Sequence, residues 1–265
     1  MTFSFVNTNS GVLLFNVIQF LTICGIYKGE KESPMPYSKF AMANSSEKKS
    51  TLRVPSKIGM LIIYVPATIV AFFFQFVLPQ IASMSHTPTT AGWMVFAHFL
   101  KRDAEVLYVH KYSGDTELNT ARLIGLSYAI SAFMICLLSS PDLSTSDIYG
   151  KYGTLLFVIG SLGNLYHHSL LAILRSKGNA KTEKKEYKAP KGGFFEYVAA
   201  PHYFFELVAW LGITVASQQL TSILNLLSMT CYLCARAQNQ NQWNKKKFDE
   251  KDWPSSRKHL IPFVY

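Results

Sequence analysis

Ile58-Gly-Met-Leu-Ile-Ile-Tyr-Val-Pro-Ala-Thr-Ile-Val-Ala-Phe-Phe-Phe-Gln-Phe-Val-Leu-Pro79 is an apolar run of bilayer length, and it decides the fold class. About 20 residues of α-helix cross a hydrocarbon core. Backbone amides in lipid must be satisfied within their own segment, so a run of this kind is a helix. Gly11 to Tyr27, Ala91 to Val109, Ala121 to Leu138 and Tyr152 to Leu174 repeat the pattern. Two shorter runs follow, Tyr203 to Ala216 and Leu220 to Cys234. The first run has no basic leader and no small-residue cleavage site, so it reads as a retained helix. The sequence predicts an all-α polytopic membrane protein with seven transmembrane helices.

Composition agrees. Of 265 residues, 49% are hydrophobic, 14% aromatic and only 16% charged, against roughly 25% charged in soluble globules. The mean hydropathy is +0.14. Such a chain is too apolar for disorder and too poor in charge to coat a soluble globule. Four cysteines without framework spacing exclude a disulfide scaffold. Cys231-Tyr-Leu-Cys234 lies in an apolar run with no second pair and reads as packing.

The net charge of +10 is unevenly placed. Residues 28–57, 175–191 and 236–258 each carry seven Lys or Arg, and 101–122 carry four, whereas 80–90 and 139–150 carry none. This alternation predicts a lumenal amino terminus and a cytoplasmic carboxyl terminus. The same cations are placed to meet an anionic cofactor. Nucleic acid is excluded as a partner, because the basic residues are divided among loops rather than gathered in an aromatic-lined groove.

Polar residues within apolar runs mark a site. His98, Lys101, Arg102, Asp103 and Glu105 lie in the third run. Asn164, His168 and Arg175 share one face of the fifth, and His202 and Glu206 repeat the i, i+4 relation in the sixth. Together they predict one polar cavity on the cytoplasmic side. No metal is expected: HxxHH and HExxH are absent, and the adjacent His167 and His168 point about 100° apart on a helix. Nucleotide-binding glycine motifs and a serine-hydrolase elbow are also absent. The loop Lys184-Lys-Glu-Tyr-Lys-Ala-Pro-Lys-Gly-Gly-Phe-Phe195 joins cations, bare backbone and aromatic faces. That combination suits a ligand with phosphates and flat rings, although a plain helix-connecting turn has the same pattern.

Asn164-Leu-Tyr-His-His-Ser-Leu-Leu-Ala-Ile-Leu-Arg175 and Tyr187-Lys-Ala-Pro-Lys-Gly-Gly-Phe-Phe-Glu-Tyr-Val198 resemble the carboxyl-terminal domain of the steroid 5α-reductase family. Pro201-His-Tyr-Phe-Phe-Glu206, Arg236 and Arg257-Lys-His-Leu-Ile-Pro-Phe-Val-Tyr265 continue the likeness, which runs from about residue 98 to the end. Upstream it thins to Tyr37-Ser-Lys-Phe40 and the register around Pro66. Plant members are the most similar overall.

The resemblance implies an endoplasmic-reticulum, multi-pass enzyme that uses NADPH to reduce a carbon–carbon double bond conjugated to a carbonyl. It implies one integral-membrane domain over 1–265, with substrate-side helices in 1–97 and the NADPH-binding part in 98–265. The family's cofactor positions fall on Asn164, His168, Arg175, Tyr187, His202, Glu206 and Arg236. Trp243 is kept, and Lys39, Lys111 and Lys188 are further candidates for phosphate contacts. His168 stands where steroid reductases carry Asp, His202 where they often carry Asn, and Asn241 and Asn244 replace a His and a Tyr.

The Glu and Tyr that hold the substrate carbonyl in the steroid enzymes align with Tyr64 and Phe99. Phe99 has no hydroxyl, so of this aligned pair Tyr64 is the residue whose phenol can face the carbonyl. Enoyl-CoA reductases are similar at Tyr203. The first expectation is 5α-reduction of a 3-oxo-Δ4-steroid, with Tyr64 or Tyr203 as the catalytic phenol. The third-run motif His98 to Ser113 equally resembles very-long-chain enoyl-CoA reductases, although their extra amino-terminal domain has no counterpart before the first loop. Polyprenol reductases share Pro201-His-Tyr203. A catalytically silent lipid-binding protein is the non-enzymatic alternative. The expected partners are a hydrophobic steroid or acyl-CoA enone and membrane lipid.

Overall fold

The computed structural model describes residues 9–35, 52–81, 83, 86–139, 148–176 and 188–265. Seven α-helices lie among them: α1 (Ser10–Glu32), α2 (Ser56–Phe72), α3 (Thr90–Ala104), α4 (Leu118–Leu138), α5 (Ile148–Ser176), α6 (Pro201–Ser217) and α7 (Leu220–Lys247). α2 runs on into a π-turn, Phe73–Val77, and α3 into another, Glu105–Val109. Two short strands, β1 (Arg53–Pro55) and β2 (Asp115–Glu117), pair antiparallel with Val54 opposite Thr116. This small sheet is a departure from the all-helical expectation. It ties the entry of α2 to the entry of α4.

Among the described residues, four stretches are long and apolar enough to cross a membrane: Ser56–Gln80, Leu118–Leu138, Ile148–Ser176 and Leu220–Lys247. α1, bent by 41° between Ile23 and Gly25, makes five as one broken span. α3 and α6 fall outside this set. α3 has 15 residues, and its second half carries the charges; α6 has 17 residues. α7, by contrast, does not stop near Cys234. It continues to Lys247 because no glycine or proline interrupts it, and three lysines in its last turn complement the helix dipole.

The exterior is apolar and much of the interior polar. Leu14 and Leu21 of α1, Leu123 and Leu126 of α4, and Leu155 and Leu162 of α5 are exposed. His98, Arg102, Glu105, Asn164, His168 and Arg236 are buried. Water would favour the reverse, and a hydrocarbon surrounding favours this one.

Small residues bring the helices close, as van der Waals packing in lipid requires. α5 and α6 lie antiparallel, and a Cβ on Gly212 would stand 2.5 Å from the Gly153 carbonyl. α4 runs parallel to α2, and a Cβ on Gly125 would collide with the Ile62 carbonyl. The core between α2, α3, α4 and α6 includes Ile63, Tyr64, Val95, Phe99, Ile135 and Trp210.

The carboxyl-terminal segment folds back beneath α6 and α7. Trp253 Nε1 donates to Asn241 Oδ1 at 2.8 Å, and Asn241 Nδ2 donates to the Arg257 carbonyl at 2.8 Å. The Ala199 amide then donates to the Lys258 carbonyl at 2.9 Å. Asn241, singled out in the sequence as a departure from the family, is thus the clamp for the tail.

Candidate functional site

His98 and Arg102 of α3 and Glu105, which opens the π-turn continuing it, stand at i, i+4 and i+7, so one helix face carries all three inward. Arg102 Nη2 donates to the Tyr64 hydroxyl on α2 at 2.7 Å. Its Nη1 donates to Glu105 and, at 3.0 Å, to His168 Nδ1 on α5. A guanidinium can only donate, so this contact makes Nδ1 the acceptor and leaves the His168 proton on Nε2. The 3.2 Å approach of the same Nδ1 to Glu105 is then proximity without a shared proton.

Lys101 Nζ donates to Glu105 at 2.9 Å and to Asn164 Oδ1 at 2.6 Å. Asn164 Nδ2 donates to the His202 carbonyl at 2.9 Å. His98 Nε2 meets Glu206 Oε1 at 3.2 Å. Two carboxylates and two strong cations are therefore matched inside the protein, which is the arrangement that buried charge requires.

A cavity of about 140 Å³ opens beside this network, between α2, α3, α5 and α6. Tyr64, Arg102, His168, His202 and Tyr203 line it, and Lys111 and Arg175 stand among its lining residues as exposed cations. Arg175 Nη1 donates to the Lys111 carbonyl at 3.0 Å, which holds that side chain across the α3–β2 loop. Arg102 Nε and His202 Nδ1 are buried with no partner among the described residues.

A second cavity, about 330 Å³ and mostly apolar, lies between α1, α4 and α7. Phe15, Ile124, Tyr128 and Met229 line it, and its polar edge is Ser131, whose hydroxyl donates to Asn225 Oδ1 at 2.9 Å. The Tyr128 ring stacks on Tyr64 at 6.0 Å, with 11° between the planes. One ring of that pair belongs to each cavity.

The structure brings Tyr64, Tyr203, His168, Arg175, His202 and Lys111 to the polar cavity. Asn164 and Glu206 lie one hydrogen bond behind it and position Lys101 and His98. Arg236 is elsewhere: it donates to Glu30 Oε1 at 2.6 Å, with both side chains 2% exposed, where α1 meets α7. Trp243 packs edge-on against Phe248 near the end of α7, and Lys188 is exposed outside the cavity lining. Lys39 and Tyr187 lie outside the described residues. Phe99 is buried against Tyr128 and Trp210.

Two titratable residues of the cavity carry no distinctive mark in the sequence, His110 and Tyr112. Their signal was a polar i, i+2 pair just past an apolar run, which resembles an ordinary loop. Glu105, His110 and His168 also offer ligand atoms within 4.8 Å of one another. Arg102, bonded to two of the three, already supplies a cation there and would repel a second.

Comparison with known proteins gives this geometry a family. Residues 126–265 match the family model described as 3-oxo-5-alpha-steroid 4-dehydrogenase. Rat 3-oxo-5-alpha-steroid 4-dehydrogenase 1 is 28% identical over 263 residues, covering 96% of this chain and 93% of that protein. A very-long-chain enoyl-CoA reductase from Dictyostelium discoideum is 31% identical across 63% of this chain and 55% of its own length. A zebrafish (Danio rerio) polyprenal reductase is 33% identical across 64% of this chain and 58% of its own length. The family match begins within α4, so α2 and α3, with Tyr64 and the His98–Glu105 face, are joined to it by the near full-length rat alignment. The chain belongs to the steroid 5α-reductase family.

Proposed function

We propose that the protein is an NADPH-dependent reductase that converts a 3-oxo-Δ4-steroid to the 5α-steroid, by hydride addition to the enone β-carbon. The observation that carries this reading is the pair of cavities. One is polar and cation-lined, the other apolar, and the Tyr64–Tyr128 ring pair contributes a ring to each. An anionic cofactor suits the first and a rigid apolar skeleton the second. At about 330 Å³ the apolar cavity lies at the small end of ligand sites.

The polar cavity fits part of a dinucleotide. Its unpartnered Arg102 Nε and His202 Nδ1 await polar contacts, and Lys111 and Arg175 are placed for phosphate. When bound, a reduced nicotinamide supplies the hydride. His168 and His202 would border the ring, and Arg175 and Lys111 would hold charge at the opening. Arg175→Ala is expected to weaken NADPH binding about ten- to a hundredfold, the loss of one charge-assisted contact of roughly 1.5–3 kcal/mol. Unchanged affinity by titration would remove Arg175 from the cofactor site. Arg236 is not part of this proposal, since Glu30 holds it.

Tyr64 is the favoured donor to the substrate carbonyl. Its oxygen accepts from Arg102, which leaves its own proton to donate. The likeness to enoyl-CoA reductase supports a second reading, a trans-2-enoyl-CoA substrate with Tyr203 as the phenol. Membranes containing the protein, given NADPH and either a Δ4-3-ketosteroid or a trans-2-enoyl-CoA, separate the two. Product from the thioester alone overturns the steroid assignment.

The proposed setting is the endoplasmic-reticulum membrane, spanned seven times with a cytoplasmic carboxyl terminus. α3 and α6 would complete the set, shielded by their neighbours. Glycosylation acceptors placed in 80–90 and 139–150 are expected to be modified, and acceptors in 40–50 or after Tyr265 to stay bare. A modified carboxyl terminus would overturn the topology.

A further inference from the structure

Tyr64, Tyr112 and Tyr203 are the phenols of the polar cavity, and they differ in what stands behind them. Tyr64 is backed by Arg102, a group that never loses its proton near neutral pH and so cannot return one to a phenolate. Tyr112 is backed by an imidazole: its hydroxyl lies 2.7 Å from His110 Nδ1. His110 also lines the cavity and packs edge-on against His168, with ring centroids 4.7 Å apart. Both residues are half-buried and flank exposed Lys111. A phenol in the cavity is therefore joined through one ring to the loop that meets solvent.

Resting protonation suits donation. Burial, then the neighbouring His168 and Arg102, push His110 down to about 2, so its ring is neutral. Burial and the nearby Tyr64 hold the Tyr112 phenol above its ordinary value, so it is protonated. A neutral imidazole can release a proton at one nitrogen and take one up at the other, as a stored imidazolium need not.

We propose that Tyr112 is the general acid that protonates the substrate α-carbon, and that His110 reprotonates it from solvent; this rests on the enone-reductase reading above. A bound reduced nicotinamide would supply the hydride and be oxidised in doing so; as the β-carbon–hydrogen bond forms, the π pair would move onto the carbonyl oxygen. As the enolate collapses, its electron pair takes the Tyr112 hydroxyl proton, and the O–H bond breaks to leave a phenolate. The phenolate takes the His110 Nδ1 proton as Nε2 gains one from solvent, and exchange of the ring protons with solvent then restores the Nδ1–H tautomer for the next turnover. The sum is one hydride and one solvent proton added across the double bond.

Two variants in membranes test this, each checked for wild-type thermal stability. Tyr112→Phe is expected to lower kcat by about 10²–10⁴, with the enone KM little changed. His110→Ala is expected to lose turnover that added imidazoles restore, with rescue tracking their basicity. A third measurement needs no cofactor. The saturated ketone in D2O should exchange its α-hydrogens faster with wild-type protein than with Tyr112→Phe, because this is the same proton transfer in reverse. Wild-type kcat and exchange in Tyr112→Phe would overturn the assignment while leaving the reductase reading intact. Absence of enone reduction by the wild type would overturn that reading instead, and equal exchange in the two proteins would then reject Tyr112 independently. If Tyr112→Phe proves unstable, a His110→Ala variant that imidazole fails to rescue rejects the relay.

Discussion

Tyr64→Phe is expected to lower enone turnover by about 10²–10³, the usual cost of removing one donor from a developing oxyanion. Hydride arrival at the β-carbon drives negative charge onto the carbonyl oxygen, so a donor aimed there gains strength between substrate and transition state. Tyr64 is suited to the task because Arg102 Nη2 donates to its oxygen at 2.7 Å. That contact polarises the hydroxyl and fixes the ring on α2. The substitution keeps the ring and its stack on Tyr128, so packing and cofactor affinity should hold while kcat falls. Steady-state kinetics with the Δ4-3-ketosteroid provide the measurement. Full activity would remove Tyr64 from the mechanism, and a collapse confined to Tyr203→Phe would move the assignment to the thioester.

Glu105→Leu should act on the fold itself. Glu105 accepts from both Lys101 and Arg102, and its side chain is 2% exposed. Deleting the carboxylate removes the acceptor that both interior cations share. Removing one partner of a buried pair typically costs about 3–5 kcal/mol, a large share of the roughly 5–15 kcal/mol that stabilises a domain. The variant is expected to melt far below wild type in detergent, or to fail to accumulate. Glu105→Gln keeps the shape and one acceptor and should fall between them. Equal melting temperatures for all three would mean that the Arg102–Glu105 contact does not hold α3 in place.

The helices were legible because apolar runs of bilayer length leave the backbone little choice. The end of α7 was less so: Asn239 to Lys247 reads as a polar loop by hydropathy, yet an unbroken run without glycine or proline extends the helix once its neighbours support it. The α3, α5 and α6 residues of the polar interior were also legible, since charges inside apolar runs are conspicuous. Their pairing was not. Arg236 reads as a cofactor position in the sequence, and its pairing with Glu30, distant in the chain, carries no sequence signal. His110 and Tyr112 lie just past an apolar run, where polarity carries no signal. The apolar cavity left no sequence mark, because side chains lining a void read like those filling a core.

The Arg236–Glu30 pair joins residues 206 positions apart, and Thr221 reaches Asn16 across 205. The first helix and the last, so joined, both contribute walls to the apolar cavity, with α4 between them in sequence. At roughly 5–20 residues per second of synthesis, α1 enters the membrane and waits through almost the whole of translation before the partner of Glu30 is made. Until then the acidic side chain of Glu30 lacks the cation that pairs with it in the folded protein, the kind of defect that cellular quality control detects. A lesion at Arg236 would accordingly appear as a shortage of protein, with the surviving molecules retaining normal cofactor affinity.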